Sequence, residues 1–440
     1  MDYRRWFVKR SKAEILIIGL LSLILMISAA SLQISKTSVS YATGDYIPPV
    51  SANFSYSFDF AQQGPYLRQA SEARAISSAR RVMSSIPGMI EDTSIMDWGL
   101  PNPEPTPGTF DLSALAARIR LISSTGGIPM ITLCAAPEWM THSTSPDVAP
   151  TASHYQDFAR LAARIAQAFP QVRYFVVWNE LKGFWDVAAN TWNIQQYTIM
   201  YNDVYKAIKR VRPDAIVGGP YVSMTPYPTP LYGTLPSTPH GAWGYLDQRD
   251  LNAISYWLAH SSGAQFIAVD GEDFPQTGPI TGPLTATETY STVDHWLRRR
   301  TSLPIWWIES PIQPADSNWP QGLAAAIRVA ALVQAACSDA HVMLQWQPEG
   351  GEGIPDEGLW TATNNANGGK ATVLAHLLPG VLSALRYPMT ILPGQDRGVL
   401  VASGGGGVIA INTTTGTARA VISGRQITLL AGQVTVMPRS

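Results

Sequence analysis

The sequence is poor in charged residues and almost lacks cysteine. Charged residues make up 14% of the 440 residues, the formal net charge is −1, and no basic stripe follows the N-terminus, so nothing indicates a nucleic-acid partner. The two cysteines, Cys134 and Cys337, are too few for a disulfide framework; we expect buried free thiols, with a single disulfide as the alternative. The sequence contains no typical metal-ligand spacing and no glycine-rich nucleotide loop, so neither a metal nor a cofactor is predicted.

Hydrophobic and aromatic residues are plentiful by contrast. Hydrophobic residues make up 46% of the chain, a composition typical of folded globular proteins. Fourteen tryptophans are many for this length, and an indole face packs well on the apolar face of a sugar ring. Large cores also use tryptophan, so position along the chain must decide which of them could bind a ligand.

The N-terminus carries a basic segment ahead of an uncharged run. The run, Ile15–Ser35, follows a cluster of five basic residues that directs the downstream chain out of the cytoplasm: Arg4, Arg5, Lys9, Arg10 and Lys12. We expect residues 1–35 to be a cleaved signal or an uncleaved membrane anchor. Residues 36–50, rich in Ser and Thr, are predicted to be a linker. The remaining chain is expected outside the cytoplasm, secreted or held at the membrane by this segment alone.

Residues 51–387 alternate short apolar runs with longer helix-like segments. Continuous apolar strands, each followed by a helix, are typical of a parallel sheet covered on both faces. Eight such strands over about 330 residues favour a closed α/β barrel, the (β/α)8 or TIM barrel, over an open sheet. The predicted strands are 53–60, 89–98, 128–135, 174–178, 215–218, 266–270, 305–308 and 342–346.

Residues 388–440 have a different pattern. Four short strands separated by turns, with no helix between them, predict a small antiparallel, β-sandwich-like module: 398–401, 407–411, 418–422 and 427–430. The segment contains no Trp, Tyr or Phe after Tyr387, so we expect a structural role without a sugar site.

Two predicted strands end in a glutamate. Glu180 follows Trp178-Asn179 after the fourth strand, and Glu309 follows Ile308 at the end of the seventh. A carboxylate directly after a buried strand is unfavourable unless it faces a polar cleft. Catalytic groups of (β/α)8 barrels gather at the carboxyl ends of the strands, and two carboxyls on one barrel rim are what cleavage of a glycosidic bond requires.

These glutamates belong to an ordered set of motifs that resembles clan A of the glycoside hydrolases, and family 39 most of all. The set covers roughly residues 50–385. Its members are Gly108-Thr109-Phe110-Asp111, Pro137-Glu138-Trp139, Trp178-Asn179-Glu180, Val217-Gly218-Gly219-Pro220, Ile308-Glu309, Trp346, Gly358-Leu359-Trp360 and Gly369-Lys370-Ala371. Members of family 39 commonly carry a His-Tyr-like pair after the sixth strand, whereas this chain has Asp270 followed by Gly271-Glu272.

The resemblance implies a retaining glycosidase with Glu180 as acid/base, Glu309 as nucleophile and Asn179 bonded to the sugar 2-OH. Asp270 is a candidate to orient a neighbouring catalytic group. Five tryptophans are candidate sugar platforms: Trp139, Trp185 and Trp346, and also Trp98 and Trp243. The partner implied is an oligo- or polysaccharide, cleaved in exo or endo fashion. The alternative is a non-catalytic barrel that binds carbohydrate at the cell surface.

Overall fold

The computed structural model describes the barrel and the C-terminal module. The described residues are 55–59, 76–78, 80–82, 85, 88–96, 100–228, 233–272, 282–311, 319–346, 348–350, 358–363 and 365–438. The predicted signal or anchor, the linker and Trp98 lie outside these residues. Within the described part of the chain, no helix combines the length and apolarity needed to cross a bilayer.

Eight parallel strands close into a barrel, which confirms the predicted fold. The first strand pairs with both the second and the eighth, so the sheet has no open edge. The strands are β1 (Ser55–Asp59), β2 (Ile90–Ser94), β3 (Ile128–Leu133), β4 (Tyr174–Val177), β5 (Ile216–Ser223), β6 (Phe266–Asp270), β7 (Ile305–Glu309) and β8 (Ala340–Trp346).

Helices follow the strands and cover the outside of the barrel. Residues 76–78 and 80–82 are helical after β1. The others are α1 (Ser113–Ser124), α2 (Tyr155–Ala168), α3 (Ile194–Val211), α4 (Gln248–His260), α5 (Pro283–Arg298), α6 (Gln321–Cys337) and α7 (Val373–Leu385). Two antiparallel hairpins, 185–192 and 236–247, extend the loops after β4 and β5.

Side chains that alternate along the strands fill the barrel interior. The buried interior cluster comprises Ile90, Met130, Tyr174, Val176, Ile216, Tyr221, Phe266, Ala268, Trp306, Ile308, Val342 and Leu344. The Phe266 ring stacks on Trp306 with centroids 4.2 Å apart. A Cβ on Gly218 would clash with Phe266, so this position in β5 requires glycine. The interior is a packed core, and polar chemistry is therefore left to the strand ends.

A buried carboxyl on α5 links strand β7 to the end of α6. Trp307 of β7 donates its Nε1–H to Asp294 Oδ1 at 2.9 Å, and the hydroxyl of Ser338, just after α6, donates to Asp294 Oδ2 at 2.7 Å. Burial raises the pKa of Asp294 to about 8. The α5 helix thus holds β7 and the end of α6 through a side chain that is neutral in mild acid. Both cysteines, Cys134 and Cys337, are free thiols.

The C-terminal module has two layers. A four-stranded antiparallel sheet has the order β9 (Met389–Ile391), β10 (Val399–Gly404), β11 (Gly407–Asn412), β14 (Val434–Pro438), and a hairpin is formed by β12 (Ala418–Ile422) and β13 (Arg425–Leu429). Side chains from both layers form its core: Val399, Val401, Ala410, Ala420 and Leu429. The sequence prediction missed the two outer strands of the sheet, β9 and β14.

The module packs on the last two barrel helices. Strands β9 and β11 contact α6, and β11 and β14 contact α7. This contact explains why α6 is buried along nearly its whole length, from Leu323 to Ala335, because one side faces the barrel and another faces the module. In the turn between β10 and β11, a Cβ on Gly406 would meet the carbonyl oxygen of Ala384 at the end of α7, and a Cβ on Gly404 would meet that of Pro388.

Candidate active site

The structure brings three carboxyls together at the carboxyl ends of the strands. Glu180 follows β4, Asp270 ends β6 and Glu309 ends β7. One carboxylate oxygen from each residue lies within 4.8 Å of those from the other two. Asp270 is only 3% exposed, whereas both glutamates are partly open to solvent. The carboxyl triad, as we call Glu180, Asp270 and Glu309, therefore faces a single cleft.

The backbone that carries Glu180 is wound in the left-handed region. The φ angles are +70° at Trp178, +47° at Glu180, +54° at Leu181 and +79° at Gly183. Each such non-glycine residue costs about 1–3 kcal/mol and persists only where its surroundings hold it in place. Trp178 and Leu181 are fully buried, and the Trp178 indole donates to the Lys182 carbonyl oxygen at 2.7 Å. Core packing thus stabilises a tight turn that directs Glu180 into the cleft.

Lys182 is a cation inside the site that the sequence patterns did not single out. Its Nζ lies 2.7 Å from Glu180 Oε2 and also donates to Asn179 Oδ1. The pair is largely shielded, with the Lys182 and Glu180 side chains 12% and 20% exposed. Asn179, predicted to bind the sugar 2-OH, is buried beside Glu180 and engages Lys182 through its carbonyl oxygen.

Tyr221 is the second residue that sequence reasoning missed. Its hydroxyl donates to Glu309 Oε2 at 3.0 Å, from the strand end that follows the Gly-Gly-Pro of β5. Tyr221 is buried in the barrel interior and has a left-handed backbone, with a φ of +58°. Its place directly after a quoted motif was the one available signal.

The electrostatics of the triad follow from burial and mutual repulsion. Burial is the main reason that the pKa of Asp270 lies well above its usual range, and the charges of Glu180 and Glu309 add to the effect, as does a side-chain hydrogen bond to Glu180. Burial followed by the Glu180 charge raises the pKa of Glu309 to about 8, against the opposing effects of Lys182 and the Tyr221 hydrogen bond. Three carboxyls this close do not all ionise readily, so the site retains a proton near neutral pH, and Asp270 is its best holder.

The triad also has the spacing of a ligand set for a hard cation, since Ca²⁺ and Mg²⁺ prefer carboxylate oxygens. The Lys182 ammonium already supplies positive charge at Glu180 Oε2. A metal bound by all three carboxyls would have to share Glu180 with this lysine.

The candidate tryptophans occupy different positions around the barrel. Trp346 ends β8 and is partly buried, and no hydrogen-bond partner is found for its Nε1 among the described residues. Trp139 lies in a short helix after β3, where its Nε1 donates to the Glu104 carbonyl oxygen at 2.9 Å. Trp185 lies in the hairpin after β4, under the Arg249 guanidinium. The interpretation of Trp243 as a platform was wrong, because its side chain is 3% exposed and packs inside the second hairpin.

Comparisons with known proteins identify relatives in fold only. No protein-family model matches the sequence, and no curated protein matches it. A monomeric β-xylosidase from Caulobacter crescentus is 17% identical, with a TM-score of 0.56 over 86% of this chain and 76% of its own. A family 39 glycoside hydrolase from Bacteroides cellulosilyticus is 13% identical, with a TM-score of 0.58 over 88% of this chain and 81% of its own.

A third solved structure, an exo-β-1,4-mannosidase from an Opitutaceae bacterium, is 15% identical, with a TM-score of 0.53 over 78% of this chain and 61% of its own. The chain therefore has the fold of family 39 and related glycoside hydrolases. That fold agrees with the resemblance inferred from the motifs.

Proposed function

We propose that the protein is a retaining glycosidase that cleaves an oligo- or polysaccharide outside the cytoplasm, with Glu309 as nucleophile and Glu180 as acid/base. The separation of the two carboxyls carries this proposal. One oxygen of Glu180 lies no more than 4.8 Å from one of Glu309, which fits the roughly 5–5.5 Å between the carboxyl groups of retaining enzymes. An inverting enzyme needs about 6.5–9.5 Å to admit a water molecule between its carboxyls.

In the first step Glu309 attacks the anomeric carbon, the glycosidic bond breaks, and Glu180 passes to the leaving oxygen the proton that it shares with Asp270 through their hydrogen bond. The Tyr221 hydroxyl, bonded to Glu309 Oε2, leaves the other oxygen of this carboxylate for the attack. Asp270 holds a proton beside Glu180 through their hydrogen bond. In the second step Glu180, as the anion that Lys182 favours, removes a proton from the water that releases the sugar.

The remaining predicted residues take supporting roles in this proposal. Asn179 lies next to Glu180 and presents its amide group to the sugar 2-OH. Trp346 is placed as a sugar platform at the end of β8, the strand next to the one that carries Glu309. Trp139, held by its bond to the Glu104 carbonyl, offers a second platform on the β3 side of the cleft.

Two matched substitutions test the roles of the glutamates. Glu309→Gln is expected to abolish turnover of all substrates, whereas Glu180→Gln should spare aryl glycosides with activated leaving groups, because these need little protonation. Glu288→Gln, on the exposed face of α5, is the control.

NMR of the first-formed product reports whether the anomeric configuration is retained. Equal loss on both substrate types, or an inverted product, would contradict the proposed roles. Binding without any turnover by the wild type would favour the non-catalytic carbohydrate-binding alternative.

A further inference from the structure

A groove of about 720 Å³ opens between the loops that follow β3 and β4 and plays no part in the chemistry described above. One wall is formed by residues 149–152, from the loop after β3, and the other by residues 183–188, from the loop after β4. The lining is completed by Tyr155 at the start of α2, Asn193 just before α3 and Gln196 in the first turn of α3. We call this cavity the rim groove.

The rim groove adjoins the acid/base side of the cleft. Gly183, in its lining, is the third residue after Glu180, so their Cα atoms are at most about 11 Å apart along the chain. Gly183 has a φ of +79°, and a Cβ there would clash with the Ala149 backbone, so the two walls meet at this point. In a glycosidase the acid stands on the side of the leaving group, because it protonates the leaving oxygen. A sugar chain that continues beyond the cleaved bond would therefore extend towards this groove.

The groove contains a rigid aromatic platform. The Arg249 guanidinium covers one face of Trp185 at 4.6 Å from the ring centroid, and Trp192 packs edge-on against it at 4.8 Å. Arg249 is itself fixed by the Asp247 carboxylate and by Asn190. These contacts hold the indole in one orientation, and Trp185 is one of the residues that line the groove. A preorganised ring loses little conformational entropy when a ligand binds.

Polar groups surround the platform. Thr151, Asp186, Asn193 and Gln196 bring hydroxyl, carboxylate and amide groups to the lining. An aromatic face bordered by hydrogen-bonding groups suits a pyranose ring, which has an apolar face and hydroxyls at its edge. We propose that the rim groove binds the leaving-group portion of a β-linked oligosaccharide, so that longer chains are better substrates. This inference rests on the proposed function of the triad.

Chain-length dependence of hydrolysis tests the proposal. The probes are xylo-, gluco- and manno-oligosaccharides from disaccharide to hexasaccharide, with the nitrophenyl glycoside of the sugar that is cleaved as reference. Wild-type kcat/KM is expected to rise with chain length. Trp185→Ala should lower the ratio of kcat/KM for the long oligosaccharide to that for the aryl glycoside by about tenfold, mainly through KM, because the stacking contact is lost.

Gln196→Ala is the variant least able to disturb folding, since alanine favours the helix. It should also lower the ratio of kcat/KM for the long oligosaccharide to that for the aryl glycoside. Gln195→Ala, a change at the exposed neighbour outside the groove, should leave this ratio unchanged. Wild-type rates that are independent of chain length, or a length dependence that survives both groove substitutions, would overturn the proposal.

A binding experiment distinguishes an error in the groove proposal from an error in the proposed function. Calorimetric titration of the hexasaccharides into Glu309→Gln measures binding without turnover. Weaker binding after adding Trp185→Ala or Gln196→Ala supports the groove, even if the wild type hydrolyses nothing. Unchanged affinity in both double variants, or no binding to Glu309→Gln at all, rejects it.

Discussion

Tyr221→Phe should move the pH dependence of catalysis towards higher pH. The substitution removes one oxygen atom, the donor that lies 3.0 Å from Glu309 Oε2, and keeps the ring that packs in the barrel interior. Glu309 must be ionised to attack, and its pKa of about 8 already reflects a lowering contribution from this hydrogen bond. Without the donor the anion is less stabilised, so the pKa of Glu309 rises further.

The size of the shift follows from the strength of the bond. A hydrogen bond to a charged group contributes about 1.5–3 kcal/mol net, and one pKa unit corresponds to about 1.4 kcal/mol, which gives a shift of about 1–2 units. Below the pKa the rate falls tenfold per pH unit, so kcat/KM near pH 7 should drop about ten- to a hundredfold. The plateau at high pH should stay within a few-fold of the wild type.

The assay is the pH profile of kcat/KM for an aryl glycoside with an activated leaving group, which reports ionisation of the nucleophile in the free enzyme. Tyr201→Phe is the matched control, because that buried hydroxyl donates to the Gly263 carbonyl oxygen and not to the triad. An acidic limb that stays in place, or moves to lower pH, would refute the reasoning. A lowered plateau with no shift would mean that Tyr221 positions Glu309 without stabilising its charge.

Three further predictions concern stability and location. Burial raises the pKa of Asp294 to about 8, so the stability that its neutral form contributes is fully present below about pH 4 and is lost as the pH rises towards 8, by up to about 1.4 kcal/mol per pH unit. Asp294→Asn should reduce this loss. Thermal unfolding midpoints that fall in parallel for both proteins between pH 4 and 8 would contradict this prediction. Residues 51–387 without the module should aggregate or unfold at lower temperature, since α6 and α7 lose the sheet that covers them; calorimetry showing unchanged stability would mean the contact is dispensable. We also propose that the barrel is outside the cytoplasm; fractionation should place it there, N-terminal sequencing distinguishes anchor from cleaved signal, and full-length protein in the cytosol would reject the idea.

The strands and the two glutamates were predictable because the pattern of apolar runs along the sequence indicates them directly. Short apolar runs such as 174–177 and 305–308, alternating with longer helix-like segments, are typical of a buried parallel sheet, and a glutamate at their end is conspicuous. The α7 helix was not predicted, because Pro379 in its interior is normally a helix breaker. There the Thr372 cap and burial against the module outweigh the cost of the proline.

The missing parts of the site depend on side-chain direction, which composition does not encode. Lys182 meets Glu180 only because the intervening backbone is left-handed, a conformation that sequence rules reserve for glycine. The same limit applies to the tryptophans. Trp185 and Trp243 look alike as loop residues, yet one lines a groove and the other is buried.

The four consecutive glycines at 404–407 resemble an interchangeable flexible spacer, but their different neighbours and backbone angles give each one a different tolerance to substitution. In a saturation library, Gly404 and Gly406 should accept no other residue, since any Cβ there meets a backbone carbonyl. Gly407, with a φ of +117°, should reject side chains through strain. Gly405 faces only the Tyr387 side chain and should tolerate alanine after a small adjustment of that ring. For an engineer who seeks an insertion or labelling site, this glycine run is among the worst choices in the molecule.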